Sequence, residues 1–582
     1  MTNKTSQPSL SLITNLRETV KSFVHCQDYE SASFWAEKVL FLTNDPNDAY
    51  ERARCLYSLK QYHRAAHTIK SRNLHQTNLS CLYLAAQCYY MEKDYKEATQ
   101  LLDSSIVNDA CLGFPTPTTS VSRSRLNQQT TCHQTDAKHN EPLMRDKNYN
   151  RWLGAIFLLK GKLYECSDNR QMAQACFKEA LKHDIFCFEA FTSLTRHHML
   201  TIDEENLLLK DLNIDGIFDN DTEMGQFIKL FYTLQGKKYH KPTQSVIPPS
   251  LEYLSTNVDV ETALAERHYY NCDYHSAYDL SKSILERDVH HTECLPIYIS
   301  ALIEIDKPTQ LFDTAHQLVD LYPENAISWF AVGCYYLVIN KVEPARRYLS
   351  KATSLDNVFG PAWLVYGHSF AVEREHDQAM AAYFRAYHLM RGCHLPLLFI
   401  GVEYGRANDC DLAGKFLQQA RTVAPEDPFA LHEHGVVYYR RRDYQAALFL
   451  FKKAEEILKG ANPNTPNSWS KNERCKRKWE PLLNNIGHTL RQLTRYDEAI
   501  EYHNKALTLV QANASTYSAL GFLYYLKEEW DQALEYLNNA LSLKYNDSIS
   551  TSLLEKTIPK YNQTLTTMLS NETNSTSSKN PK

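Results

Sequence analysis

Along most of the chain, apolar residues recur at three- and four-residue steps, the period of one face of an α-helix, and the helical stretches come in pairs. Large side chains stand at Trp329, Trp363, Leu397 and Leu431. Seven residues further on come Tyr336, Phe370, Tyr404 and Tyr438, with Tyr524 in the same place downstream. Between them falls a glycine, at Gly333, Gly367, Gly401 and Gly435, each 34 residues from the last, and Gly487 and Gly521 repeat that step. Twelve residues after each glycine is an alanine, at Ala345, Ala379, Ala413, Ala447, Ala499 and Ala533; seven further on is another, at Ala352, Ala386, Ala420, Ala454, Ala506 and Ala540. A fixed period of this length predicts an array of two-helix units.

In each unit the glycine predicts close approach of the first helix (A) to the second (B), and the alanines on B make room for neighbouring bulk. Pro323 and Pro425 mark the ends of B helices, where proline is tolerated. One unit alone leaves an apolar face exposed, so the units are expected to stack into a superhelix whose concave groove suits an extended or helical peptide.

The pattern of Trp, Leu, Gly, Tyr, Ala, Phe, Ala and Pro resembles the tetratricopeptide repeat. Weaker copies lie upstream: Ala265 with Ala277, Gly161 with Tyr164, Ala173, Phe177 and Ala180, and the pairs Tyr29/Ala32, Tyr62/Ala65 and Tyr95/Ala98 at 33-residue steps. The expected fold is all-α, a tetratricopeptide superhelix (α-solenoid) of about 13 helical hairpins plus a C-terminal helix.

Breaks in the lattice divide the chain. Repeat units are expected over 13–107, with a disordered insertion over 108–149, where Pro115, Pro117 and a Ser/Thr cluster stand among few apolar residues. A unit and an irregular helical segment follow over 150–257, then central units over 258–459. The step from Gly435 to Gly487 is 52, or 34 plus 18, which places a surface loop at 460–479. C-terminal units fill 480–547, a capping helix 548–570 and a disordered tail 571–582. Thr116-Pro117 and Thr465-Pro466 fall in the two insertions and are candidate sites of proline-directed phosphorylation.

The totals narrow the function. A hydrophobic fraction of 43% supports an ordered protein, and a formal charge of −5 over 582 residues gives no bulk attraction to nucleic acid or an anionic membrane. With no Cys-x-x-Cys among 15 cysteines, and several in apolar helical patterns (Cys81, Cys88, Cys334), buried free thiols in a reducing compartment are expected. Met1 to Leu16 lacks a basic start followed by an apolar run, and no 18-residue apolar run occurs, so a soluble intracellular protein is expected.

Catalytic constellations are missing. The Gly-Lys pairs at Gly161, Gly236 and Gly414 continue with Leu, Lys and Phe instead of the Ser or Thr of a phosphate loop, and no Gly-x-Ser-x-Gly occurs. His291 with Cys294 lacks a second half for zinc and reads as a helix start. The doublets His197-His198 and His290-His291, and His432 and His434 around Glu433, read as surface or groove histidines. The cluster Lys471, Arg474, Lys476, Arg477 and Lys478 reads as a solvated loop. No catalytic residue, metal or cofactor is expected.

Longer strings narrow the resemblance: LAERHYYNCDY (Leu264 to Tyr274), WFAVGCYYL (Trp329 to Leu337), RRYLSKAT (Arg346 to Thr353), GPAW (Gly360 to Trp363), YGHSFAVEREHDQAMAAYF (Tyr366 to Phe384), APEDPF (Ala424 to Phe429) and WEPLLNNIGH (Trp479 to His488). They resemble the subunit 6 family of the anaphase-promoting complex, or cyclosome, whose members are cell division cycle protein 16 homologues. The resemblance implies a non-catalytic scaffold of a RING-type ubiquitin ligase in nucleus and cytoplasm. It also implies a homodimer through N-terminal units, contacts with related repeat subunits, and a very small partner subunit in the C-terminal groove. By repeat position it points Leu398, Val402, His432, Val436, Tyr439, Asn484, His488, Arg491, Phe522 and Tyr525 into that groove. The alternative is another peptide-binding scaffold or a co-chaperone whose Lys and Asn clamp a carboxylate.

Overall fold

The computed structural model describes residues 10–103, 147–196, 198–212, 214, 223–236, 239, 247–459 and 473–577, and among these every regular element is helical. Thr116, Thr465, Lys471 and most of the two expected insertions lie outside the described residues. The chain divides into two compact units: Met1–Met199 with Leu208–Asn213, and Leu200–Leu207 with Ile214–Lys582.

In the first unit, Leu10–His25 pairs with Tyr29–Thr43, Pro46–Ser58 with Tyr62–Lys70, Leu79–Met91 with Tyr95–Asp103, and Lys147–Cys166 with Arg170–His183. In the second, hairpins run from Val258–Tyr270 and Tyr274–Arg287 through Leu295–Ile305 and Pro308–Leu321, Ala326–Val338 and Val342–Leu355, and Gly360–Val372 and His376–Leu389. The series continues with His394–Arg406 and Cys410–Val423, Pro428–Arg440 and Tyr444–Lys459, Glu473–Gln492 and Tyr496–Leu509, and Ala514–Leu526 and Trp530–Leu543. Glu473–Gln492 starts inside the stretch expected to be a loop, and the last helix, Ser548–Ser577, extends into the stretch expected to be a tail.

The packing reason is a pair of residues sixteen apart. A β-carbon added at Gly333 would stand 2.5 Å from Leu349 Cγ, at Gly401 2.7 Å from Leu417 Cγ, at Gly487 2.5 Å from His503 Nε2 and at Gly521 2.7 Å from Leu537 Cγ. Gly161 meets Phe177, Gly367 meets Tyr383 and Gly435 meets Phe451 in the same way. The glycine thus lets helix B seat a large side chain directly on the backbone of helix A. Where the glycine column carries Ile299, the residue sixteen on is Ala315, and both belong to one buried cluster. Val20 with Ala36 repeats that exchange in the first unit. Both alanine columns, Ala345 to Ala533 and Ala352 to Ala540, are completely buried.

Each A helix ends seven residues past the glycine column on a left-handed residue. Cys272, Asp306, Asn340, Arg374, Asn408 and Arg442 follow at 34-residue steps with φ between 57° and 69°. The amide after it reaches back to close the helix end, as Lys341 N donates to Tyr336 O at 2.9 Å and Asp409 N to Tyr404 O at 2.9 Å. In some units an aspartate then caps helix B: Asp273 accepts from Ser276 N, and Asp409 from Leu412 N. No helix among the described residues is long and apolar enough to cross a membrane.

Candidate functional site: the concave face of the second unit

The A helices of the second unit stand side by side and enclose a cavity of about 850 Å³. Its walls come from Val258–Tyr270, Leu295–Ile305, Gly360–Val372, His394–Arg406, Pro428–Arg440 and the start of Glu473–Gln492. One wall is aromatic: Phe399 lies 4.3 Å edge-on to His368 and 6.2 Å from Phe429, and behind it Phe429 lies 6.4 Å from Trp479. Tyr269, Tyr270 and Tyr274 also line the cavity, and burial holds the phenols of Tyr270 and Tyr274 well above the usual range. Burial also pushes His368 down to about 4, with Glu304 opposing and Arg406 reinforcing, so its ring is neutral at physiological pH; its Nδ1 lies 2.7 Å from Tyr383 Oη.

The charged groups of the cavity are largely paired within it. Glu403, 2% exposed, takes His376 Nδ1 at 2.6 Å and Arg406 Nη1 at 2.7 Å. His394 Nε2 is 3.1 Å from Asp427 Oδ2, and Asp427 also caps Pro428–Arg440 by accepting from Phe429 N and Ala430 N. Such a site offers apolar surface with a few polar edges, which is how peptide-holding grooves are built.

Of the groove residues expected from the repeat position, Leu398, Val402 and Val436 line this cavity. The other seven do not. His432 is nearly buried, bonded to Glu433 at 3.0 Å and to Asn485 at 2.9 Å. Asn484 is 9% exposed and its amide is engaged by His503 Nδ1 at 2.8 Å, Thr516 Oγ1 at 2.9 Å and Glu480. His488, Arg491, Phe522, Tyr439 and Tyr525 are half-buried; Arg491 lies over the Phe522 ring at 4.8 Å.

Three expectations need correction. His434 is not a surface histidine but is 5% exposed, pushed down to about 4 by burial and by Arg421 and Arg441. His198 is likewise buried. Lys478, read as part of a solvated loop, stands on a helix and lines the cavity, 2.8 Å from Glu304 Oε2. The helix-start reading of His291 holds: its Nδ1 accepts from Cys294 N at 3.2 Å. Among the described residues, no group of three or more His, Cys, Asp or Glu is placed to hold a metal ion.

The sequence missed Tyr269, Tyr270, His368 and Lys478: His368 follows Gly367 as Val402 follows Gly401, but in a unit upstream of those assigned to the groove, as are the two tyrosines, and Lys478 stands in a charged run that read as a loop.

Comparison with known proteins gives a consistent setting. A family model described as tetratricopeptide repeat matches residues 480–546, and one described as anaphase-promoting complex, cyclosome, subunit 3 matches residues 25–105. The subunit 3 match is confined to early repeats. Longer alignments join the chain to the cell division cycle protein 16 homologue of Mus musculus, 45% identical over 94% of this chain and 84% of the relative. Anaphase-promoting complex subunit 6 of Arabidopsis thaliana is 36% identical, over 93% of this chain and 96% of the relative. Among solved structures, the crystal structure titled APC/C hetero-tetramer Cut9-Hcn1 superposes with a TM-score of 0.75 at 29% identity, covering 94% of this chain and 96% of that one.

Proposed function

The chain belongs to the cell division cycle protein 16 family, subunit 6 of the anaphase-promoting complex, and from that premise we propose that it is a non-catalytic scaffold subunit of that ubiquitin ligase, acting in nucleus and cytoplasm. Its work is to hold other subunits. The observation that carries this reading is the cavity on the concave face: apolar, aromatic-walled and of a size that receives a short stretch of peptide.

The occupant is the N-terminal segment of a very small partner subunit. Support comes from Hcn1, which shares the solved hetero-tetramer with Cut9. The co-chaperone alternative is disfavoured because Asn484 spends its amide on His503, Glu480 and Thr516 and has no place for a carboxylate clamp. The first unit serves a homodimer; Phe34 and Phe41, 53% and 85% exposed on Tyr29–Thr43, supply apolar surface for a second copy.

The test is purification of the tagged protein from dividing cells, as wild type and as Val402→Asp/Val436→Asp. A buried unpaired carboxylate in the wall should eject the small subunit while the larger subunits remain. Full retention of the small subunit by the double variant would overturn the reading.

A further inference from the structure

Three sets of contacts join residues far apart in the chain across the concave face. Lys478 Nζ donates to Glu304 Oε2 at 2.8 Å and lies 3.4 Å from Tyr274 Oη, across 174 and 204 residues. Its ammonium also sits 5.0 Å from the Tyr274 ring, 5.8 Å from Phe429 and 6.0 Å from Trp479. Cys272 Sγ donates to Asp427 Oδ1 at 3.7 Å, across 155 residues. His394 Nδ1 lies 3.1 Å from Tyr239 Oη, again across 155. Stacking in a repeat array joins a unit to its neighbours, so none of these contacts is a stacking contact. The lysine and thiol contacts join residues that both line the cavity, and so span it.

Among them the lysine makes the one pairing of two full charges, partly shielded from water and framed by aromatic rings, where an ion pair is stronger than on an open surface. The thiol and imidazole contacts are weaker. Helix Glu473–Gln492, which carries Lys478, is also the helix that packs back onto Leu295–Ile305.

We infer that Lys478 is a clasp. It ties the walls together round the cavity, so that a peptide held there, on the reading of the preceding section, enters or leaves when the bond to Glu304 opens. Such a gate acts on entry and exit alike. The clasp is closed with and without an occupant, so removing it speeds association and dissociation by one factor and leaves Kd nearly unchanged. A side chain that merely touched the peptide would alter dissociation alone.

The test uses the full chain as wild type, as Lys478→Met and as the charge-reversed pair Glu304→Lys/Lys478→Glu, with labelled Hcn1 as the probe in stopped-flow. Lys478→Met should raise both rates about tenfold, the loss of roughly one charge-assisted bond, and the reversed pair should return them towards wild type. A change in dissociation alone, or a reversed pair no better than Lys478→Met, would overturn the clasp.

A second arm needs no partner. Cys272 and Cys393 line the cavity, the latter buried, whereas Cys334 is buried away from it. Maleimide under native conditions should label the first two about tenfold faster in Lys478→Met, with Cys334 unchanged. Equal rates, or parallel acceleration of Cys334, would contradict the clasp. Failure of the wild type to take up Hcn1 would sink the peptide reading instead, and the thiol rates would still decide the clasp.

Discussion

Gly435 lies against the ring of Phe451, sixteen residues downstream, so closely that a β-carbon on the glycine would stand 2.6 Å from Phe451 Cε1. Phe451 is itself completely buried, and the same sixteen-residue pairing of small with large recurs along the second unit. Ile299 with Ala315 keeps the pairing but reverses which member is large.

Gly435→Val should therefore destabilise by about 1–3 kcal/mol through overpacking, despite the better helix propensity of valine over glycine. Adding Phe451→Ala should recover part of that loss instead of deepening it. Urea denaturation of the two single variants and the double variant measures the coupling. Strict additivity would mean that the two residues do not share one site.

Acid should loosen the second unit. Burial holds His368, His434 and His488 down to about 4 and His503 down to about 3 in the folded state. The unfolded chain protonates its histidines near 6.5. Between those values the unfolded state binds more protons, so stability is full above about pH 6.5 and falls as the pH drops towards 4. Urea midpoints at pH 7.5 and pH 5 should show the decline. His503→Leu, which gives that position the residue found at Leu349, Leu417 and Leu537, should flatten it.

Asn484 should prove structural. Its bonds to His503, Glu480 and Thr516 are internal, so Asn484→Ala should cost about 1–3 kcal/mol in stability by stranding buried polar groups. The affinity of the folded fraction for the small subunit should stay near wild type. Calorimetric melting beside a binding titration separates the two effects.

The exposed apolar face of the first hairpin sets a fourth expectation. Phe34→Ser/Phe41→Ser should shift the purified chain from dimer towards monomer in light scattering, because the substitutions remove apolar area without touching the buried Ala32, Ala36, Val39 and Leu40.

The glycine and alanine columns were legible in the sequence because close helix crossings accept few residue types. The turn between the helices was not, since Cys272, Asp306, Asn340, Arg374, Asn408 and Arg442 share a conformation and no chemistry. Ile299 hid its unit by exchanging bulk with Ala315. The cavity was half legible: Leu398, Val402 and Val436 follow from repeat position, whereas the contact of Lys478 with Glu304 depends on how far the stack curves before its walls meet. No local pattern records that distance. The run of Lys and Arg before Trp479 read as a loop because charge usually marks solvent, and here one of those charges is paired across the cavity.

The proposed function depends on the concave face of the second unit gripping another chain. Its most direct test is a photoreactive phenylalanine at Val402, inside the cavity, compared with one at Lys351 on a B helix, in the complex purified from dividing cells. Irradiation should join Val402 to the N-terminal segment of a small polypeptide and leave Lys351 unlinked to it. Adducts of that polypeptide with Lys351 and none with Val402 would contradict the account.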